Sequence, residues 1–168
     1  DAYNVAVGYE AGKVISTGTS NTLIGGFAGD ALTTRLYNIA IGRNALSAED
    51  AHGYNVAIGS FALLNQDAGT DAHNVAIGHQ AGTTITTGAY NTLVGAYTGD
   101  ALTTGARNVA IGHNALTSED TGSRSVAVGY DALATQNYDG LAYNIAIGYN
   151  TGSNITNGLY NTLIGGLS

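Results

Sequence analysis

An apolar triplet closed by glycine recurs ten times along the chain. It reads Val5-Ala6-Val7-Gly8, Thr22-Leu23-Ile24-Gly25, Ile39-Ala40-Ile41-Gly42, and onward to Thr162-Leu163-Ile164-Gly165. The glycines are spaced 17, 17, 17, 19, 17, 17, 17, 19 and 17 residues apart, so a 70-residue period lies above the 17-residue one. Residues 1–70 and 71–140 align without a gap at 36 identical positions, and residues 141–168 open a third copy. A short alternating run ended by glycine predicts a strand and then a turn. The unit is too short for two helices and carries no 3.6-residue apolar stripe. Strands at fixed spacing predict an all-β, parallel β-solenoid of about ten coils of 17–19 residues. Stacked about 4.8 Å apart, ten coils make a rod roughly 50 Å long. No linker or composition shift interrupts the array, so residues 1–168 read as one repeat domain.

Equivalent positions then form columns along the rod, counted here from the repeat glycine. One residue before it stands Val or Ile in every coil, and three before it Val, Ile or Thr. Two before it stands Ala, except for Leu23, Leu93 and Leu163. Alternation puts the β-branched columns on one face and the Ala/Leu column on the other. The expectation is that the bulky pair fills the interior and the small column faces outward, where another surface can approach closely. Four residues after the glycine the order runs Gly12, Gly29, Leu46, Leu63, then Gly82, Gly99, Leu116, Leu133. Seven after, it runs Ile15, Leu32, Glu49, Gln66, then Ile85, Leu102, Glu119, Gln136. Glycine in the first column meets an aliphatic in the second, and leucine meets a polar residue. Both columns therefore border one core whose volume is conserved by exchange. Such a core is thin for a lone chain and points to an oligomer.

Asparagine stands four before the glycine in nine coils, with Ser125 the exception. It predicts a turn whose amide hydrogen-bonds its neighbours up and down the rod. The repeat glycine predicts a backbone position that excludes Cβ. No glycine-rich phosphate loop opens a helix, since neither a GxGxxG nor a Walker pattern is present.

The string Asn-Val-Ala-Ile-Gly (Asn55–Gly59, Asn74–Gly78, Asn108–Gly112), followed by two variable residues and usually Ala, resembles the head repeat of trimeric autotransporter adhesins. Similar Asn-x-Ala-Ile-Gly arrays occur in phage tail fibres. The resemblance spans all ten coils. It implies a left-handed β-roll, three chains side by side around a threefold axis, an extracellular setting, and no catalytic residue. The unit of 17 or 19 residues is longer than the family's usual 14 or so, and the Thr-Leu-Ile-Gly coils place Leu where the family prefers Ala.

Composition narrows the function. The chain has 5 basic and 12 acidic residues and a net charge of −7, which argues against a nucleic-acid partner. No apolar run approaches the roughly 20 residues of a membrane span, and no signal peptide is legible at the start. With no cysteine, thiol catalysis and zinc–thiolate sites are excluded. The chain has no methionine and opens at Asp1, so it reads as a fragment of a longer fibre.

Candidate chemistry is sparse, and neither a catalytic residue, a metal site nor a cofactor is expected. His52, His73, His79 and His113 read as surface or interface residues, because His79 and His113 lie two coils, roughly 10 Å, apart. Glu49-Asp50 and Glu119-Asp120 lie four coils, roughly 19 Å, apart, too far for paired glycosidase carboxylates. They read as solvated turns. Five before the glycine run Tyr3, Ser20, Tyr37, Tyr54, His73, Tyr90, Arg107, Arg124, Tyr143 and Tyr160. This column predicts a stacked aromatic and cation ladder, or an exposed strip that holds sugar rings. The two 19-residue coils place their extra residues within 66–72 and 136–142, making outward loops with Asp67, Asp71, Tyr138 and Asp139 as further ligand candidates.

The expected function is a non-enzymatic segment of a trimeric fibre that offers a rigid multivalent surface to a cell-surface glycan or protein receptor. The alternatives are a stalk with no ligand, or an ice-binding solenoid, although Thr22, Thr92 and Thr162 recur only every fourth coil. A hexapeptide-type acyltransferase helix does not fit, because 17 is not a multiple of six.

Overall fold

The computed structural model describes residues 2–49 and 53–168. Ten three-residue strands form one parallel sheet in sequence order: β1 (Val5–Val7), β2 (Thr22–Ile24), β3 (Ile39–Ile41), β4 (Val56–Ile58), β5 (Val75–Ile77), β6 (Thr92–Val94), β7 (Val109–Ile111), β8 (Val126–Val128), β9 (Ile145–Ile147) and β10 (Thr162–Ile164). Each strand pairs with the next in exact register, as Val5 with Thr22 and Val7 with Ile24. The chain is a β-solenoid, and each repeat glycine ends one strand. An added Cβ on Gly8 would lie 2.6 Å from the backbone of Gly25 in the next coil, so only glycine lets the coils close to ladder distance.

Hydrogen bonds between coils run around the whole perimeter. The amide of Thr22 donates to Asn38 O at 2.9 Å in the sheet, that of Gly12 to Ala28 O at 3.0 Å, and that of Ser16 to Thr33 O at 2.9 Å. Three corners per coil take the left-handed conformation: five before, two after and four after the glycine. Tyr37 (φ 62°), Phe61 (φ 63°) and Leu63 (φ 49°) show that these corners are held by ordinary side chains as well as by glycine. Such residues resist this conformation in isolation, so the stacked ladder must hold them there.

The sheet faces are the reverse of the sequence expectation. The Ala/Leu column points inward: Leu23, Ala40, Ala57, Ala76, Leu93 and Ala110 are fully buried. Both β-branched columns point outward, with Ile77 36%, Ile111 39% and Ile147 40% exposed. The reason is the width of the coil. The wall opposite the sheet lies so close that each interior row holds one unbranched sheet residue, alanine or leucine, plus one large side chain from the later columns, and no room remains for two β-branched residues per strand.

The exchange between the later columns holds. Leu46, Leu63, Leu116 and Leu133 are fully buried in their coils, as are Leu32, Ile85 and Leu102 in theirs. Leucines of the sheet column take part in the same exchange. Leu23 Cδ1 would lie 2.8 Å from a Cβ on Gly12, and Leu23 Cδ2 the same distance from one on Gly29. A Cβ on Gly82 would meet Ile85 Cδ1 and Leu93 Cδ1 at 2.9 Å each. Gly82→Leu therefore overfills the core, although leucine adopts the same backbone at Leu63 and Leu133. The expected cost is about 1–3 kcal/mol, read as a lower melting temperature.

Candidate functional surface

The solenoid presents three side-chain ladders of functional interest, and the asparagine column is the innermost. Asn74 Oδ1 accepts the Asn91 amide at 2.8 Å, and Asn74 Nδ2 donates to Gly88 O at 2.7 Å at the end of its own coil. Asn91 and Asn108 repeat both bonds, at 3.0 and 2.9 Å from their Oδ1 atoms and 2.9 and 2.8 Å from their Nδ2 atoms. These side chains are fully buried, so the column is a structural staple with no ligand role.

Ser125 interrupts the staple, and a second buried network takes its place. Gln136 Nε2 donates to Ser125 Oγ at 2.9 Å and to Glu119 Oε2 at 2.7 Å, while Gln136 Oε1 accepts from Asn144 Nδ2 at 2.7 Å. Glu119 also accepts the Gly122 amide at 2.8 Å and that of Tyr138 at 3.3 Å. The expectation of solvated turns fails for Glu49 and Glu119, which are fully buried. With leucine four residues after the glycine, the core volume is already filled, and the column seven after can turn to holding the corner. Asp120 is half-buried, and Asp50 lies outside the described residues. Because every neighbour of Glu119 is a donor, Glu119→Gln must aim an amide N–H at another N–H. We expect a loss of about 1–3 kcal/mol in denaturant unfolding, against no measurable change for Glu10→Gln. Glu10 lies half-buried at the surface beside the exposed Lys13, whose Nζ is 3.1 Å away, and the hydrogen bond from that amino group holds its carboxyl below the usual range.

The column five before the glycine forms the predicted ladder. Tyr37 and Tyr54 stack at 5.4 Å, Tyr54 and His73 at 5.0 Å, His73 and Tyr90 at 5.5 Å, and Tyr143 and Tyr160 at 5.4 Å. Arg107 lies 5.3 Å over Tyr90, and Arg124 lies 5.4 Å over Tyr143 with a 2.5 Å hydrogen bond to its hydroxyl. The planes are close to parallel, at 28° or less. Ring faces are therefore spent on one another, and the tyrosines present edges and hydroxyls. Tyr3 stands strongly exposed at the first coil.

The loop residues point outward, and two of them brace the coil before. Asp71 Oδ1 accepts the Gly53 amide at 3.1 Å, and Asp139 Oδ1 accepts the Thr121 hydroxyl at 2.7 Å. Asp67 and Asp139 are exposed, while Tyr138 is half-buried beside Asp120, Asn137 and Asn157 around a shallow hollow. The two loops stay four coils apart, so the structure does not join them into one site.

A third ladder escaped the sequence reading because it alternates between two columns. Tyr9 and Phe27 meet edge-on at 5.3 Å, Arg43 lies 5.5 Å over Phe61, and Phe61 meets His79 edge-on at 6.2 Å. Tyr97 meets His79 at 5.3 Å and His113 at 5.7 Å, both edge-on, and His113, Tyr130 and Tyr149 then stack at 5.4 Å. The rings stand one residue after the glycine in some coils and two after in others. The signal was available: where one of these columns is aromatic, the other is small or polar. Three histidines are accounted for, each between ring partners, and His52 lies outside the described residues.

Between these two ladders lie the outward Val/Ile columns, ten coils long. The opposite wall carries small polar residues, among them Ser47, whose hydroxyl bonds Asp30 at 2.9 Å. No protein-family model, curated protein or solved structure matches the chain.

Proposed function

We propose that the chain is a non-enzymatic segment of a trimeric fibre, of the phage tail-fibre or bacterial surface-adhesin kind, that offers a rigid surface for attachment to a host or its glycans. The observation that carries this reading is the outward Val/Ile face. Two columns of outward β-branched side chains, Val or Ile except at Thr22, Thr92 and Thr162, offer on the order of 1,000 Å² of mainly apolar surface, above the few hundred typical of a monomer's largest patch. It also exceeds the roughly 800 Å² that each partner contributes to a standard interface. In-register strands repeat the same face at every coil, which suits a second copy laid along its length. The resemblance of the Asn-Val-Ala-Ile-Gly repeat to trimeric adhesin heads and tail fibres favours three copies around an axis.

In this assembly the Val/Ile columns turn toward the axis and the polar walls face outward. Each coil is locked to the next by backbone, asparagine and aromatic ladders, which suits a spacer that transmits force without bending. The extracellular setting follows from this reading. The test is a screen of the assembled protein against host cells and a glycan array. Retention on either supports an attachment role. A trimer that captures nothing is a stalk, and the attachment role falls.

A further inference from the structure

The column two residues after the repeat glycine carries a further pattern within the third ladder. From the second coil to the seventh it reads Phe27, Asn44, Phe61, Gln80, Tyr97, Asn114, a strict alternation of ring and carboxamide. All six share the left-handed backbone, so they occupy equivalent places on the rod. All six are half-buried. The column just before alternates in the opposite sense: Gly26, Arg43, Ser60, His79, Ala96, His113. Each ring therefore lies beside a small residue, with a large side chain in the coil above and the coil below. At Gly26 an added Cβ would meet nothing nearer than Tyr9 O at 3.9 Å, so the space beside Phe27 is open.

The result is three notches, at Phe27, Phe61 and Tyr97. Their contacts within the ladder are edge-on at 72° to 89°, unlike the parallel stack five before the glycine. Parallel stacking hides both faces of an inner ring, whereas an edge-on pair hides one face of one ring. Arg43 lies over one face of Phe61 at 5.5 Å, and the edge-on contacts otherwise leave more ring surface uncovered along this strip than the parallel Tyr37–Tyr90 stack does.

Spacing identifies the occupant. Equivalent rings are two coils, about 10 Å, apart. A peptide in the β-strand conformation presents the same side every second residue, roughly 6.6–6.8 Å, which does not fit. An extended β-1,4-linked chain of pyranoses turns over at each sugar, and its two-sugar repeat has closely the length of two coils. A chain of net charge −7 also disfavours a polyanion. We infer that the Phe27–Phe61–Tyr97 strip binds a neutral β-1,4-linked glycan lying along the rod, every second sugar stacked on a ring and the sugars between them hydrogen-bonded by Asn44 and Gln80. The site ends at the eighth coil, where Tyr130 occupies the small-residue column and stacks on His113 at 5.4 Å. This inference rests on the attachment reading and names the strip and the polymer class.

The test is calorimetric titration of the full chain with cellohexaose and chitohexaose, with α-linked maltohexaose as the control. Binding of either β-linked probe supports the site. Binding of chitohexaose alone assigns the carboxamides to acetamido groups. Phe61→Ala with Tyr97→Ala is expected to weaken binding roughly a hundredfold, about tenfold per ring. Ser60→Tyr with Ala96→Tyr keeps the rings, fills two notches as Tyr130 does, and should abolish binding, with native mass and circular dichroism unchanged. Equal binding of maltohexaose, or unaltered affinity in both double variants, overturns the inference. If neither β-linked probe binds while the array captures another glycan, this site falls and the attachment reading stands. If nothing is captured at all, both fall.

Discussion

Ile77→Glu combined with Ile111→Glu is expected to convert the assembled protein into a monomer that keeps its strands. Both side chains lie on the outward face, 36% and 39% exposed in the single chain. On a monomer, such surface changes would shift stability by no more than about 0.5 kcal/mol. In the proposed trimer, six glutamates would be forced into a desolvated interface with no partner for their charge. Each unpaired buried carboxylate costs several kcal/mol, enough to dissociate the assembly at micromolar concentration. The readouts are elution volume together with far-ultraviolet circular dichroism. A native mass that does not change would mean that this face is not the interface. The polar wall supplies the control, since Ala48→Glu lies outside that face and should leave the mass unaltered.

Asn91→Ala is expected to destabilise the solenoid more than any single change on its surface. Asn91 accepts the Asn108 amide through Oδ1 and donates to Gly105 O through Nδ2, at 3.0 and 2.9 Å. Removing the side chain leaves one buried donor and one buried acceptor without partners, each costing about 1–3 kcal/mol. The loss falls at mid-rod, where no free end can relax to let water in. Tyr90→Ala, one residue earlier and exposed, removes ring contacts worth about 0.5–1.5 kcal/mol each. Urea unfolding separates the two. Equal midpoints would show that the asparagine column is not the staple described here.

The repeat carried most of the fold openly. Strand positions, coil number and the Gly12/Ile15-type exchange all follow from residues that recur at fixed spacing, since each column meets one environment along the rod. Which side of the strand is inside does not follow from alternation, which separates Val75 and Ile77 from Ala76 without saying which faces in. Residue size suggested the wrong answer because the coil is narrower than an ordinary sheet sandwich. Glu119 misled for a related reason: an acidic residue reads as solvated until the donors of Gly122, Gln136 and Tyr138 are seen around it. The corners at Tyr37 and Phe61 lie in columns that hold no glycine in any coil, so their left-handed backbone leaves no trace in composition. The strip through Phe27, Phe61 and Tyr97 was hidden because its rings share their ladder with a neighbouring column.

If further copies of the chain cover the outward Val/Ile face, native mass by light scattering after gel filtration will report the assembly. Three chains of 17.0 kDa give about 51 kDa, and a single species of that mass is the predicted result. A stable species of 17.0 kDa, unchanged over a wide range of concentration, would contradict it.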